Sequence, residues 1–343
     1  MKNSQKLRVA VIGCGVIGPF HADCFKRNKE AELVCVCDLS AKKARETAAK
    51  FNAPWWTTDA NEVFLSPSVD AVSICTDHAS HAALAIAALK AGKHVLCEKC
   101  LAVSKPDLAK MLKAASARPD LVNAAVFQHR FEALPREIKS IIDEGLIGSL
   151  SSASGSLNCR RPNGYYSSSS WRGTLKGEGG SVMINQAIHF FDLLLWITGG
   201  GVDICGFKAN RNHPKIETED TAAASIKLAN GALATFSASN ATSKSWRYNL
   251  SLFGTEGAIA VTDDKTTLIS FADKKLQTSV EKRLAKAEKA GSIARGKPYY
   301  GCGHQAQIDD FVNAALHGMR PFVSFEDAAK TAELLFKFYK SAK

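Results

Sequence analysis

The sequence predicts an α/β protein in which a doubly wound parallel sheet precedes an α+β domain with a large open, mainly antiparallel sheet. The chain has 343 residues, and a single core rarely grows beyond about 250–300 residues. Short apolar runs alternate with helical stretches from residue 6 to residue 125, whereas runs of strands joined by tight turns follow farther along. We therefore predict two domains, over residues 1–126 and 127–343.

The first domain alternates strands with helices, as successive βαβ units do. Alanine and leucine dominate Ala79–Ala91, which makes this segment the clearest helix. The predicted strands are Leu7–Ile12, Leu33–Cys37, Ala71–Cys75, His94–Leu96 and Val122–Val126, and the predicted helices are Gly18–Asn28, Ala41–Phe51, Ala79–Ala91 and Lys105–Ala117.

The second domain begins with a helix at Arg130–Asp143 and continues through two serine-rich stretches, at 151–156 and 167–170. Asn-Gly and Glu-Gly turns join several of the strands that follow, which favours antiparallel pairing. The closing helix, 325–341, is a candidate for packing back on the first domain. The predicted strands are Ile204–Arg211, Ala222–Leu228, Ala232–Ser239, Tyr248–Phe253, Ala258–Thr262 and Thr267–Phe271.

The composition is that of a globular chain with an excess of basic residues. Lysine and arginine total 44 against 33 acidic residues, a formal net charge of +11. This balance suits an acidic partner, but no helix-turn-helix, RRM or zinc-finger pattern is present, so we predict no nucleic-acid partner. Asp273–Lys297 holds eight basic and three acidic residues, and we predict a solvated loop or a short exposed helix there.

Cysteine spacing and the N-terminus bear on the cellular location. Ten cysteines without a regular framework favour reduced thiols and a cytoplasmic protein. Basic residues precede an apolar run near the N-terminus, as in a signal peptide, but Gly13, Gly15 and Gly18 interrupt that run. No window approaches roughly 18 uninterrupted apolar residues, so we predict no membrane span.

The segment 13–18 reads Gly-Cys-Gly-Val-Ile-Gly and lies between a predicted strand and a predicted helix. That context is typical of a Rossmann dinucleotide site. Gly13 allows the tight turn, Gly15 lets a pyrophosphate approach the backbone, and Gly18 lets the helix pack close to the sheet. Val16 and Ile17 complete the loop at the helix N-terminus, which attracts the phosphate charge.

An acidic residue at the end of the second strand indicates which dinucleotide binds. Asp38 lies 20 residues after Gly18, where a carboxylate accepts hydrogen bonds from the adenosine ribose and repels a 2′-phosphate. We therefore predict NAD as the cofactor. NADP stays an alternative because Lys42 and Lys43 follow closely.

Two further blocks carry a family resemblance. The first reads Cys-Thr-Asp-His-Ala-Ser-His over 75–81 and Ala-Gly-Lys-His-Val-Leu-Cys-Glu-Lys over 91–99. The second reads Gly-Gly-Ser-Val-Met-Ile-Asn-Gln-Ala-Ile-His-Phe-Phe-Asp over 179–192. They resemble the T-P-x-x-x-H, A-G-K-H-V-x-x-E-K-P and G-G-G-x-x-x-D-x-x-x-H-x-x-D patterns of the glucose-fructose oxidoreductase/inositol dehydrogenase (Gfo/Idh/MocA) family. With 305–311 and the closing helix, the similarity spans nearly the whole chain.

The resemblance implies an NAD(P)-dependent dehydrogenase or reductase that transfers hydride between nicotinamide and a secondary hydroxyl or keto group. The implied substrate is a sugar, cyclitol, sugar acid or nucleotide sugar, with Lys99 as the main proton donor or acceptor and His189 assisting. Besides the glycine loop and Asp38, the implied cofactor-binding residues are Thr76, His78, His81, Glu98, Lys99 and Gln128. The implied substrate-binding residues are Lys99, Arg160, Tyr166, Trp171, Arg172, Asn185, Gln186 and His189.

Four basic residues precede the second block, namely Arg160, Arg161, Arg172 and Lys176. Guanidinium groups bind carboxylates and phosphates through paired hydrogen bonds. An anionic sugar is therefore favoured over a neutral one. The alternative is that these charges only keep a loop solvated.

The sequence departs from the family patterns at three positions. Cys100 replaces the proline of E-K-P, and because a cis bond before a non-proline residue is costly, we predict a trans Lys99–Cys100 bond. Asn185 replaces an aspartate that would raise the pKa of His189, which makes Lys99 the stronger proton-transfer residue. Asp77 replaces a proline, with an effect that the sequence does not predict.

Two cysteine-containing segments raise the question of a metal site, and other functions are compatible with the same fold. Cys97 and Cys100 form a C-x-x-C pair, and Cys302 lies near His304, but no four ligands stand at matching spacing, so we predict no metal. An NAD-dependent glycosidase and a non-catalytic dinucleotide-binding regulator remain alternatives. The open sheet of the second domain predicts a homodimer or homotetramer that buries its apolar face.

Overall fold

The protein, described here by a computed structural model, is seen at residues 6–291 and 300–343, so part of the basic segment 273–297 lies outside the described residues. The chain forms two compact units. Residues up to Phe127 together with His304–Ala329 form the first unit, and Gln128–Gly303 with Lys330–Lys343 form the second. None of the helices within the described ranges combines the length and apolar character that a bilayer crossing requires.

The first unit contains a six-stranded parallel sheet, as the sequence predicts. Its strands are β1 (Leu7–Ile12), β2 (Ala31–Cys37), β3 (Trp55–Thr57), β4 (Ala71–Ile74), β5 (His94–Cys97) and β6 (Asn123–Ala125). Their spatial order is β3-β2-β1-β4-β5-β6, so the winding reverses between β1 and β4. Every residue of β4 is buried, which explains the continuous apolar runs of the sequence.

Five helices connect these strands, and polar caps fix where several of them begin. Ser40, Asp77 and Ser104 each accept a hydrogen bond from a backbone N–H in the first turn of the following helix. The sequence predicted neither the third helix nor β3, because each is shorter than the pattern needed to recognise it. The helices are α1 (Gly18–Arg27), α2 (Ala41–Phe51), α3 (Ala60–Leu65), α4 (His78–Lys90) and α5 (Lys105–Ser116).

The second unit contains a seven-stranded sheet with several flanking helices. The strands are β7 (Leu150–Arg160), β8 (Gly201–Ala209), β9 (Thr221–Leu228), β10 (Leu233–Ser239), β11 (Ala241–Gly254), β12 (Gly257–Thr262) and β13 (Lys265–Phe271). The helices are α6 (Ala133–Asp143), α7 (Asn163–Ser167), α8 (Ile188–Thr198) and α9 (Lys274–Ala290). The strand order is β13-β12-β11-β7-β10-β9-β8, and β7 pairs parallel with β10 while the other pairs are antiparallel.

One face of this sheet is buried and the other is exposed, as the alternating burial along β9 and β10 shows. The register places Phe207, Leu233 and Phe253 on the exposed face, where they are 67%, 64% and 42% exposed. Exposed apolar side chains on an open sheet face are consistent with association through that face. A homo-oligomer formed through this face stays a prediction.

Two elements differ from the sequence prediction. The serine-rich stretch after residue 150 is the central strand β7. Three of its four buried positions are small, namely Ala153, Gly155 and Cys159, and the fourth is Leu157. A Cβ on Gly155 would lie 2.8 Å from the ring of Phe236, so close packing replaces apolar bulk there. The basic segment forms the 17-residue helix α9, because Val280 and Leu284 are buried beneath its charged residues.

The chain returns to the first unit through α10 (His304–His317), and α11 (Phe325–Ser341) follows it. Gln307 donates to the Ala125 carbonyl at 2.6 Å, and Phe311 joins the core of the first unit. The expected second domain, residues 127–343, is therefore wrong for His304–Ala329. The first turns of α11 belong to the first unit and its remainder to the second.

Candidate active site

The loop between β1 and α1 has the geometry of a dinucleotide cradle. Gly13 has φ +98°, and a Cβ there would lie 2.6 Å from the Cys75 carbonyl oxygen. A Cβ on Gly18 would lie 1.8 Å from the Gly13 carbonyl oxygen, so helix and loop approach too closely for any side chain. By contrast, nothing lies within 4 Å of a Cβ placed on Gly15. The open side of the loop at Gly15 is where a pyrophosphate needs to approach the backbone.

The N-terminus of α1 adds donors to this cradle. Val16 is 55% exposed, and Ile17 is the N-cap residue, without a side-chain hydrogen bond to the first turn. The first N–H groups of a helix lack intrahelical acceptors and attract anions. The loop therefore offers backbone donors to a phosphate group.

Asp38 follows β2 and is fixed by two backbone donors. Its Oδ2 accepts from the Cys14 N–H at 2.7 Å, and its Oδ1 accepts from the Ser40 N–H at 2.8 Å. A carboxylate has further acceptor capacity beyond these two bonds. Asp38 is thus oriented to accept ribose hydroxyls, which fits NAD.

The loop after β4 is tied to the loop after β5 by a buried histidine. His81 Nδ1 lies 2.7 Å from the Cys100 carbonyl oxygen, and Nε2 lies 3.3 Å from the Thr76 carbonyl oxygen. Burial lowers the pKa of His81, so the ring is neutral and its one N–H serves the shorter contact. His78 is also buried, with its ring 5.9 Å from that of His81. His81 therefore has a positioning role.

Asp77, which stands where the family has proline, caps α4. Its Oδ1 accepts from the Ser80 N–H at 3.2 Å, and the Ser80 hydroxyl donates to Thr76 Oγ1 at 2.7 Å. These bonds close the turn between β4 and the helix. The departure from proline thus leaves the turn ordered by side-chain hydrogen bonds.

Glu98, at the end of β5, is anchored from both of its oxygens. Oε1 lies 3.1 Å from His21 Nε2, and Oε2 accepts from the Lys99 N–H at 3.1 Å. Burial by itself would raise the pKa of Glu98, but the hydrogen bond and charge of His21 lower it to about 2. Glu98 is therefore ionised, and His21 was not identified from the sequence although it lies three residues beyond Gly18.

The Lys99–Cys100 peptide bond is cis, so the expectation of a trans bond is wrong. The buried surroundings hold the backbone of Cys100 in place without a proline: its carbonyl binds His81, and its thiol donates to the Ala102 carbonyl at 3.1 Å. Lys99 itself is half-buried. It lies directly after the carboxyl end of β5, where ligands bind in doubly wound sheets.

The second unit carries the remaining predicted residues. Residues 182–186 form a π-helical turn ahead of α8, and the Ala187 N–H donates to the Val182 carbonyl at 2.8 Å. Asn185 lies in that turn and His189 lies in α8. The two residues are four apart in the chain, but the π-helical turn has a different periodicity, so α-helical spacing does not place them on one face.

Asn185 and Gln186 belong to a polar cluster that the sequence did not reveal. Asn185 Nδ2 donates to the fully buried Glu178 and, at 3.2 Å, to the hydroxyl of Tyr165. Gln186 Nε2 donates to the same hydroxyl at 3.2 Å, and its Oε1 accepts from Asn240 Nδ2 at 2.9 Å. Both amides are thus held in fixed orientations around the Tyr165 hydroxyl.

The two adjacent tyrosines have different surroundings. Tyr166 is buried, and its hydroxyl contacts Ser181 Oγ and Asn240 Nδ2, each at 2.7 Å. Tyr165 is only partly buried. The guanidinium groups of Arg161 and Arg172 lie over its ring. Tyr165, rather than the predicted Tyr166, has its hydroxyl beside the site amides.

The basic cluster divides into two parts. Arg161 lies 4.9 Å and Arg172 4.3 Å from the centre of the Tyr165 ring, and Arg172 also stacks on Trp171 at 5.3 Å. Arg160, at the end of β7, is exposed, as is Lys176. Only the first two arginines are organised around the site amides.

The last of the predicted residues is Gln128, and one group of side chains has the composition of a metal site. Gln128 belongs to the second unit, is buried and donates to the Tyr300 carbonyl at 3.3 Å. Among the described residues, one trio has the ligand atoms for a metal, His21, Glu98 and His304, whose atoms lie within 4.8 Å of one another. The His21–Glu98 hydrogen bond accounts for the proximity of two of these residues, and the trio does not include Cys97 or Cys100.

Comparisons with known proteins identify both parts of the chain. Residues 7–125 match the oxidoreductase family with an NAD-binding Rossmann fold, and residues 136–260 match the GFO/IDH/MocA C-terminal domain. Myo-inositol 2-dehydrogenase of Thermotoga maritima is 26% identical over 273 residues, 78% of each chain. D-glucoside 3-dehydrogenase of Escherichia coli is 30% identical over 201 residues, 57% of this chain and 55% of that enzyme.

Among solved structures, the WlbA dehydrogenase of Chromobacterium violaceum in complex with NADH and UDP-GlcNAcA is similar over nearly the whole chain. The TM-score is 0.89 at 25% identity, covering 99% of this chain and 94% of the other. The similarity extends across both units, so the observed fold is the one these dehydrogenases share.

Proposed function

The chain belongs to the Gfo/Idh/MocA oxidoreductase family, and from that premise we propose that it oxidises a secondary hydroxyl of an anionic sugar, with Lys99 as the main proton acceptor. It is an NAD-dependent oxidoreductase acting on CH–OH groups. The anionic substrate and the proton transfer by Lys99 are what we propose beyond that activity.

The placement of Lys99 between two fixed neighbours carries the proposal. His21 anchors Glu98 on one side, and His81 anchors the Cys100 carbonyl on the other. The backbone on both sides of Lys99 is therefore held in place, which gives the lysine side chain a fixed starting point. A proton-transfer group needs this kind of fixed origin, since its efficiency depends on reach and orientation.

The glycine loop and Asp38 are the residues that would hold NAD, which supplies the acceptor for hydride from the carbinol carbon. The open space at Gly15 and the bound orientation of Asp38 fit this cofactor. The other residues proposed to contact or position the cofactor are Val16, Ile17, Thr76, His78, His81, Glu98, Lys99 and Gln128.

Lys99 is assigned the proton that leaves the substrate hydroxyl. In oxidation the O–H bond breaks, the proton moves to Lys99 Nζ, and the carbonyl forms as the carbinol hydrogen leaves with its electron pair. In the reverse direction Lys99 returns the proton. General acid–base catalysis of this kind contributes about 10²–10⁴-fold to a rate.

His189, Asn185 and Gln186 are assigned to binding and orienting the substrate hydroxyls, together with Tyr165. The Tyr165 hydroxyl accepts from both amides and retains its own proton to donate. Burial raises the pKa of Tyr165, with Arg172 acting in the opposite direction, so the phenol is protonated at neutral pH. Tyr165 can therefore donate to a substrate oxygen.

An acidic substrate is favoured by Arg161 and Arg172, with Arg160, Trp171 and Tyr166 as further members of the substrate-binding set. The Chromobacterium violaceum enzyme was crystallised with UDP-GlcNAcA, a nucleotide sugar, which supports this class. The inositol and glucoside relatives are named for neutral compounds, so they favour a neutral substrate instead of an acidic one.

The experiment is a substrate panel followed by NADH absorbance. Nucleotide sugar acids, free sugar acids, neutral sugars and cyclitols are each offered with NAD and with NADP. We expect the highest kcat/KM with an acidic sugar and NAD. Preference for a neutral cyclitol or sugar would overturn the substrate class, and product formation without net NADH would indicate a glycosidase.

A further inference from the structure

A buried histidine outside the predicted site contacts His189. The rings of His129 and His189 have centroids 5.6 Å apart with planes at 82°. His129 is 7% exposed and lies in a short 3₁₀ segment before α6, while His189 is half-buried at the start of α8. Water screens charges poorly at such a contact, so the charge on one ring affects the other.

Glu132 determines the charge of His129. His129 Nδ1 lies 2.9 Å from Glu132 Oε1, with side chains 9% and 7% exposed. The Cys302 N–H donates to the same oxygen at 3.0 Å, which fixes the carboxylate. Burial by itself would lower the pKa of His129, but the charge of Glu132 and its hydrogen bond raise that pKa above its usual value. Both the short contact with Glu132 and the direction of the pKa shift therefore favour a protonated His129.

Other charged groups around His129 act in the same direction or are already paired. Asp264 and Asp192 also raise the pKa of His129. Asp192 pairs with Arg130 at 2.6 Å, and Asp264 accepts from the Tyr248 hydroxyl at 2.6 Å. The cation that remains in ring contact with His189 is His129.

We propose that His129 is a positioning residue whose positive charge keeps His189 uncharged, and the functional meaning rests on the proposed role of His189. An uncharged imidazole can accept a hydrogen bond from a substrate hydroxyl, whereas an imidazolium cannot. Asn185 supports the same state, since the amide brings no negative charge to favour the imidazolium. The cation of His129 and the uncharged amide of Asn185 thus both favour a neutral His189.

Nuclear magnetic resonance titration of the histidines tests the proposal without any substrate. In the unaltered protein we expect His129 to titrate at higher pH than His189, with His189→Gln identifying the second resonance. In His129→Gln the pKa of His189 should rise by about half a unit to two units, the Coulomb range for charges at this separation. In His129→Lys, which restores a cation beside Glu132, it should stay close to its original value.

His317→Gln, at the exposed end of α10, is the matched control and should leave the His189 titration unchanged. Titration of His129 below His189 in the unaltered protein would overturn the proposal even if a variant failed to fold. An unchanged His189 pKa in His129→Gln, or equal rises in the Gln and Lys variants, would also overturn it. These readouts need no turnover, so a failed substrate panel would refute the proposed function separately.

Discussion

The two groups of candidate site residues are fixed in different ways. Around Lys99, two buried histidines from predicted helices, His21 and His81, bind the residues on either side of the lysine. Around Asn185, the anchors are other polar side chains of the second unit: Glu178, seven residues away, binds Asn185, and the more distant Asn240 binds Gln186. The backbone around Lys99 is thus held by single buried histidines, whereas Asn185 depends on a network of amides, a carboxylate and hydroxyls.

The largest effect is expected at the lysine. Lys99→Ala should lower kcat by about 10²–10⁴-fold, because the proton acceptor is lost. NAD binding should weaken far less than kcat falls, because Lys99 is only one of the proposed cofactor-binding residues. Steady-state kinetics and NADH fluorescence titration measure the two quantities. Lys113→Ala, at an exposed position in the last turn of α5, is the control and should retain normal kcat. Near-normal turnover in Lys99→Ala would refute the assignment.

Two glycine variants separate the two functions of the loop. Gly15→Ala adds a Cβ in open space, so it should leave the free energy of unfolding nearly unchanged but weaken NAD binding about 10-fold or more. Gly18→Ala places a Cβ 1.8 Å from a carbonyl oxygen and should destabilise the protein by about 3 kcal/mol. Urea unfolding and NAD titration test both. Equal losses of affinity and stability in Gly15→Ala would contradict the cradle.

The neighbouring tyrosines sharpen the comparison on the substrate side. Tyr165→Phe should raise KM about 10-fold with little change in stability, because its hydroxyl is assigned to substrate. Tyr166→Phe should instead cost about 1–3 kcal/mol of stability, because it leaves the buried Ser181 and Asn240 groups without the hydroxyl. If Tyr166→Phe raised KM and Tyr165→Phe did not, Tyr166 rather than Tyr165 would be the tyrosine that contacts substrate.

The smallest effect is a pH dependence of stability from the His21–Glu98 pair. The pKa of Glu98 is lowered to about 2 in the folded chain, so its stabilisation is present above the ordinary value of 4.5 and is lost as pH falls toward 2. The pKa of His21 is raised, although burial opposes this, so its stabilisation is present below the ordinary value of 6.5 and is lost as pH rises through the folded value.

Urea midpoints measured across pH for the unaltered protein and for the double variant His21→Gln/Glu98→Gln test this dependence. The difference between the two curves should shrink at both ends of the range. A difference that stays constant with pH would show that the pair is not ionised in the folded chain.

Much of the fold was predictable because its signals are local. The βαβ alternation, the glycine loop and Asp38 each follow from patterns within a few residues, and the parallel sheet agrees with them. Strand β7 was hidden because alanine, glycine and cysteine occupy most of its buried positions, where large apolar residues normally mark a strand. Helix α9 was underestimated because its charged residues mask a narrow buried stripe.

The sequence by itself determined the family and the cofactor, because motif spacing encodes the local backbone geometry that these features need. It also singled out Lys99 as the proposed proton-transfer residue. Only the tertiary structure decided which tyrosine hydroxyl lies beside Asn185, that residues 182–186 form a π-helical turn, and that the His129–Glu132 pair contacts His189. The physical reason is that the Tyr165–Asn185 and His129–His189 contacts join segments far apart in the chain. At the π-helical turn, the Ser181 and Met183 N–H groups likewise donate to Glu219, which lies on a distant segment. Their energies arise from burial and hydrogen bonding, which no short pattern in the sequence records.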